Sequence, residues 1–374
     1  MLARFAVLGL ALAGPALADV PPPALVMAPD ASPVEREVLH WEAGPVTCGE
    51  GVAASPVEAS LPYPQLFIAG RTSAPASVTL RFAIDAEGRP FDITGEIEPR
   101  ARLYTRDLMP ALRASRFATD GTASGCSITY NPTLQPYAEL PRDILGRFGV
   151  AQRARIERDA WDRIAPGNCR ERPRIAPLLR AYPDWRKIER RAGEWGWTYV
   201  GYDIDADGNP VNIATLISSG DAGLDAEGRA AAEQGRFAGG PRIGCVQVWW
   251  RGPETIPAPT IPPKEDTKGN PACDIDDRWA KEPRLTYPRP YQNRAIEGWA
   301  ILRFDVAPWG EIGSIEVLDA QPSSEIGDAA SAVLRAARFK PQEAGLSGCI
   351  DRVIFRIRSD EAGDKPDDGT GEPG

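Results

Sequence analysis

Residues 302–310 read LRFDVAPWG, and two earlier stretches echo them, LRFAIDAEG at 80–88 and YDIDADG at 202–208. Each is an alternating apolar run that ends in a Gly turn, the pattern of a half-buried strand entering a hairpin. Working outward, Tyr63-Pro64, Tyr182-Pro183 and Tyr287-Pro288 precede the three runs, while Arg116-Phe117, Arg236-Phe237 and Arg338-Phe339 follow them. Gly88, Gly208 and Gly310 are separated by 120 and then 102 residues, and Phe117, Phe237 and Phe339 by the same two steps. Two independent landmarks in one register read as a triplication.

Cysteines give a third landmark. Cys48, Cys169 and Cys273 precede each Tyr-Pro, and Cys126, Cys245 and Cys349 follow each Arg-Phe, at internal separations of 78, 76 and 76. Six cysteines allow fifteen pairings. The repeat selects one bridge per copy: Cys48–Cys126, Cys169–Cys245 and Cys273–Cys349.

Within each copy the alternation of Val78, Leu80, Phe82 and Ile84 (and of Leu302, Phe304 and Val306) predicts a strand with one wet face. A second strand such as Ile312 to Leu318 completes a hairpin. Ile326, Ala329, Ala330, Val333, Leu334 and Ala337 then fall at helical spacing. A last strand carries Val353, Phe355 and Ile357, and a short helix fits Pro290 to Ile296. The predicted fold class is α+β: three tandem modules, each a three-stranded antiparallel sheet with two helices on one face. The modules are 35–137, 166–251 and 272–358. A helical connector spans 138–165, and a Pro-rich linker at 252–271 reads as a stiff spacer. Residues 19–34 form a Pro-rich lead-in, and 359–374 an acidic tail of disordered composition.

Residues 1–18 read as a signal peptide: Arg4, an apolar run from Phe5 to Gly14, and Ala16-Leu17-Ala18 before a cleavage point. The run is far shorter than the roughly 20 residues a spanning helix needs, so no stable membrane anchor is expected and the chain is read as periplasmic. One histidine, His40, removes most His-based acid–base and metal chemistry, and a net charge of −9 argues against nucleic acid. No constellation of residues points to an enzyme, a metal or a cofactor. Asp203, Asp205, Asp207 and Gly208 match the start of a calcium loop, but its twelfth position is Ala214, so a hairpin turn is the better reading. The tryptophans clustered at 185–197 and 249–250 read as core or seam.

In order, these motifs resemble the C-terminal domain of TonB, in the TonB/TolA group. The third copy carries the resemblance best: Tyr287-Pro288, Glu297-Gly298, Gly310, Ser323-Ser324 and Arg338-Phe339-Lys340-Pro341. The resemblance implies partners among envelope proteins, including extended segments of outer-membrane receptors that add to the edge of the sheet at its last strand. The outward row of that strand, Arg352, Ile354, Arg356 and Arg358, is then the candidate binding edge, with protection of a free edge by charge as the alternative. A scaffold role, or energy transduction should residues 1–18 stay as an anchor, are the alternatives.

Overall fold

The computed structural model describes residues 36–49, 52–68, 73–118, 121–152, 156, 158–274 and 277–357, all within one compact unit, Glu35–Gly374. The expectations for residues 1–34 and 359–374 lie outside the described residues, as does Arg358.

One order of elements recurs in three segments. The first has β1 (Arg36–Ala43), β2 (Val46–Cys48), β3 (Val52–Ala54), β4 (Pro56–Glu58), β5 (Gln65–Ile68), β6 (Val78–Ile84) and β7 (Pro90–Gly95). It continues with α1 (Arg102–Thr105), α2 (Leu108–Ala114), β8 (Arg116–Phe117) and β9 (Ala123–Pro136). A connector of α3 (Arg142–Gln152) and α4 (Arg158–Ile164) follows. The second segment has β10 (Ala176–Leu179), β11 (Gly196–Ile204), β12 (Pro210–Ser218), α5 (Ala222–Glu233), β13 (Arg236–Ala238) and β14 (Arg242–Arg251). The third has β15 (Trp279–Lys281), α6 (Arg289–Asn293), β16 (Gly298–Val306), β17 (Ile312–Gln321), α7 (Ser324–Arg335), β18 (Arg338–Phe339) and β19 (Leu346–Phe355).

The sheets of the second and third segments are antiparallel and three-stranded, in the orders β12-β11-β14 and β17-β16-β19. One helix packs on each: α7 buries Ile326, Ala330 and Leu334 over Ala300, Leu302 and Phe304 of β16, and α5 buries Leu224 and Ala231 over Val200 and Tyr202. Where a first helix was expected in the second segment, only the 3-10 turn Trp185–Lys187 forms. The main sheet of the first segment exceeds the expected three strands and has seven, with β4 and β8 paired apart from it. β9 is long enough to pair with β6 along its first half and with β1 along its second.

The two glycine and phenylalanine landmarks share a register because they touch. Phe117, Phe237 and Phe339 each donate their N–H to the carbonyl of Gly88, Gly208 and Gly310, all at 2.9 Å. Each Arg-Phe pair forms a short strand (β8, β13, β18) against a short strand earlier in its segment (β4, β10, β15). Gly310 has φ +87°, and a Cβ there would meet the Phe339 carbonyl oxygen at 2.1 Å. Gly310→Ala therefore combines left-handed strain with a clash against backbone, and is expected to lower unfolding free energy by about 1–3 kcal/mol or more in urea titrations.

The outer face of β6 is wet as expected, with Thr79 and Arg81 exposed, but those of β11 and most of β16 are covered. Trp197 and Tyr199 of β11 lie under α3 and α4 with Leu145, Phe148, Ala160 and Trp161. In the third segment Trp299 and Ile301 are 3% and 1% exposed. The Pro-rich stretch read as a stiff spacer supplies cover there: the Trp299 indole donates to the Pro259 carbonyl at 2.7 Å. Apolar side chains on both faces of a central strand require a layer on each side, and the connecting segments provide it.

Candidate functional site

A sheet edge accepts another strand only where its outward N–H and C=O groups are open. The outer side of β9 is already occupied by the chain itself. β1 runs antiparallel along it from Glu37 opposite Pro136 to Ala43 opposite Tyr130, and the Gly44 N–H donates to the Thr129 carbonyl at 2.8 Å. On the far side of that sheet, the Ile93 N–H donates to the Pro322 carbonyl at 2.9 Å, so the ends of β7 and β17 close on each other. In the second segment the start of β14 is bound by residues 168–169, through Cys169 N–H to the Ile243 carbonyl and Ile243 N–H to the Asn168 side chain.

Neither β14 nor β19 has a strand on its outer side among the described residues, unlike β9. Asn270 covers the start of β19, donating its N–H to the Gly348 carbonyl and its side chain to the Ser347 carbonyl, both at 2.9 Å. Beyond that point, among the described residues, no strand pairs with its outer side. Cys126 and Cys349 face Phe82 and Phe304, which puts Thr129, Asn131 and Thr133 of β9 in register with Arg352, Ile354 and Arg356. Thr129 turns its main chain toward β1, so alternation points the main chain of the latter three outward. Arg352 is committed inside the protein. Its guanidinium donates to the Pro263 carbonyl and Thr267 hydroxyl at 2.6 Å each, and its N–H to Asp351 at 2.8 Å. Ile354, 40% exposed, and the exposed Arg356 line a cavity of about 260 Å3 beside the edge.

The three segments meet at a junction the sequence did not flag. Arg294 follows α6 in the third segment and is fully buried. Its Nε and one terminal nitrogen clamp Asp107 of the first segment at 2.8 and 2.7 Å. The other terminal nitrogen reaches Glu194 of the second segment at 3.0 Å and the Ser60 hydroxyl at 2.7 Å. The guanidinium also lies 4.1 Å from the Tyr63 ring centroid. Asp107 in turn accepts the Tyr63 N–H at 2.7 Å. Burial disfavours charge on Arg294, but Asp107 and Glu194 outweigh it and keep the guanidinium firmly protonated. Burial likewise pushes the Glu194 carboxyl up, yet Arg294 and Arg147 hold it below the ordinary carboxylate range. One arginine thus ties all three segments.

The other motifs fall in bland roles. The Asp205 carboxylate caps its own turn by accepting the N–H groups of Asp207 and Asn209 at 2.9 and 2.8 Å. Among the described residues no group of three His, Cys, Asp or Glu could hold a metal. Trp249 packs edge-on to Tyr182 and Trp185, and the Trp195 indole donates to the Asn293 carbonyl at 2.7 Å, in a seam with the third segment. Tyr287 packs on Phe355 of β19 and donates to the Ile296 carbonyl at 2.6 Å.

A cleft of about 290 Å3 between the first and third segments is lined by Arg102, Arg106, Met109, Tyr291, Glu325 and Asp328. Burial pushes the Glu325 carboxyl up to about 7, and its Oε2 accepts the Tyr291 hydroxyl at 3.0 Å. A carboxyl raised on folding contributes stability that is full below its unfolded value and lost as pH rises through about 7. Glu325→Gln, neutral throughout, is therefore expected to exceed the native chain by roughly 2–4 kcal/mol at pH 8 and to match it near pH 4, in denaturant titrations.

Residues 283–357 match the family described as Gram-negative bacterial TonB protein C-terminal. Protein TonB of Escherichia coli (strain K12) is 31% identical over 71 residues, 19% of this chain. The match spans 29% of that relative's length. The solution NMR structure of the Pseudomonas aeruginosa TonB CTD is similar at 24% identity and a TM-score of 0.21, covering 23% of this chain and 91% of that one.

Proposed function

Taking the third segment as a domain of the TonB C-terminal family, we propose that the chain is a non-enzymatic periplasmic protein that binds extended segments of envelope proteins, outer-membrane receptors among them, by β-strand addition at β19. The observation that carries this reading is the contrast between two edges in one register: β1 fills that of β9, and no strand fills that of β19. Strand addition needs little more than outward N–H and C=O groups on an exposed strand. Ile354 and Arg356 offer them, while Arg352 serves to hold the Pro-rich segment. In this reading the three segments are tandem TonB-C-like modules, and the third, which carries the family match, is the binding module. Among the described residues no helix is long and apolar enough to cross a membrane. Site-specific photo-crosslinking from position 356 in living cells tests the proposal: one envelope protein, linked through one short extended segment, is the expected product. Crosslinks confined to the chain itself would refute it.

A scaffold role is favoured by the Arg294 junction, which makes the three segments one block. Solution scattering separates its consequence from a string of loose domains. An energy-transducing role would require the N-terminal segment to be retained, and finding Asp19 as the mature N-terminus eliminates it.

A further inference from the structure

The cavity beside β19 has one wall that belongs to no sheet or helix. Pro257, Pro259 and Ile261 face Trp299 and Ile354 across about 260 Å3, with Arg356 at the rim. Trp299 lies opposite Ile354 in the β16–β19 ladder, so both stand on the same sheet face as the Pro-rich stretch. We infer that residues 257–261 are a specificity wall: the segment added to β19 runs antiparallel to it, inserts one apolar side chain between Trp299 and the two prolines, and places an acidic residue beside Arg356. This rests on the strand-addition reading above and adds to it the direction and side-chain chemistry of the ligand.

The wall is built before any ligand arrives. Proline fixes its own φ, the Trp299 indole is bonded to the Pro259 carbonyl, and the Ile256 N–H donates to the Ala295 carbonyl at 2.9 Å. Such pre-organisation spares the ordering cost that a mobile loop would incur on binding. The volume lies below the roughly 300–1,000 Å3 of small-molecule sites, which suits a single side chain. The lining is apolar apart from Glu297 and Arg356. Glu297 is engaged, accepting the Ile357 N–H at 3.1 Å, which leaves the exposed Arg356 as the charge that faces a newcomer. Direction comes from the chain's own example: β1 meets β9 antiparallel, with Glu42 and His40 opposite Asn131 and Thr133. Carried by register to β19, those two places lie opposite Ile354 and Arg356, on the face that looks into the cavity.

The test uses the full chain and two labelled ten-residue peptides of alternating Thr, identical except for Leu or Ser at the central cavity-facing place, with Glu two residues away. Fluorescence anisotropy is expected to show the Leu peptide binding roughly 10-fold tighter or more. Ile354→Asp, at an exposed position, should bring the two affinities together, and Ala258→Arg, from the opposite wall, should do the same. Arg356→Pro removes an outward N–H without touching the β16 ladder and should weaken both peptides alike. A Leu preference that survives both cavity variants overturns the specificity wall but leaves strand addition standing. Affinities unaffected by Arg356→Pro, or no binding of either peptide at millimolar concentration, overturn both. A chain lacking residues 360–374 that binds at least ten-fold tighter would make its own acidic tail the occupant and overturn the partner assignment.

Discussion

An Arg294→Ala chain is expected to lose about 3–5 kcal/mol of unfolding free energy at neutral pH, read from its denaturant midpoint. The loss comes less from a missing attraction than from what stays behind. Asp107 and Glu194 would remain in the interior without the cation that both of them face. The pH dependence gives the result a signature. In the native chain the Glu194 carboxyl is held below its ordinary value of 4.5, so its contribution is present above that pH and is lost as pH falls. Without Arg294, burial is opposed only by Arg147 and the Ser60 hydroxyl, so the same carboxyl rises and less of that contribution is left to lose as pH falls. The gap between the two chains should therefore be widest near pH 7 and narrow below about pH 5. Glu325 titrates in both and cancels. An equal gap at all pH values would mean that Arg294 acts through packing alone.

Removing the third cystine ranks next. The bonds join Cys48 to Cys126, Cys169 to Cys245 and Cys273 to Cys349, closing separations of 78, 76 and 76 residues. Loops of this length are worth about 4–5 kcal/mol in the chain-entropy model, and native bridges typically 2–5 kcal/mol on removal. The double change Cys273→Ala with Cys349→Ala is expected to fall in that range. Cys349 lies near the start of β19 and Cys273 three residues after Asn270, so the loss should also loosen the cover at Gly348. Both half-cystines of the first bridge (Cys48, Cys126) and of the third (Cys273, Cys349) are buried, so reductant added to the folded chain should cut these two only through opening. Rapid reduction of either bridge without denaturant would contradict this placement.

The contrast between the cystines and Arg294 shows what a single sequence makes legible. Repetition exposes features that recur, and so the cysteine pairs, the Gly turns and the helix at Ser324–Arg335 were readable. The strands at Arg116-Phe117, Arg236-Phe237 and Arg338-Phe339 were missed because two residues carry no periodicity. Arg294, Asp107 and Glu194 each occur once, on three different segments and far apart in the chain, and no spacing links them. The covered faces were partly hidden for a related reason. Alternation in β11 and β16 suggests one buried face, yet Trp197, Tyr199, Trp299 and Ile301 already mark the second as apolar. The candidate edge was visible as a basic alternating strand, but not that Arg352 belongs to the Pro-rich segment while Ile354 and Arg356 remain at the surface.

Amide hydrogen exchange on the free chain tests most directly the claim that one edge is filled and its counterpart is open. The amides of Asn131 and Thr133, beneath β1, should exchange slowly, whereas those of Ile354 and Arg356 should exchange orders of magnitude faster, with Val353 and Phe355 on the same strand protected. Protection at Ile354 and Arg356 equal to that at Asn131 and Thr133 would mean that the edge of β19 is already occupied, and the binding role assigned to it would fall.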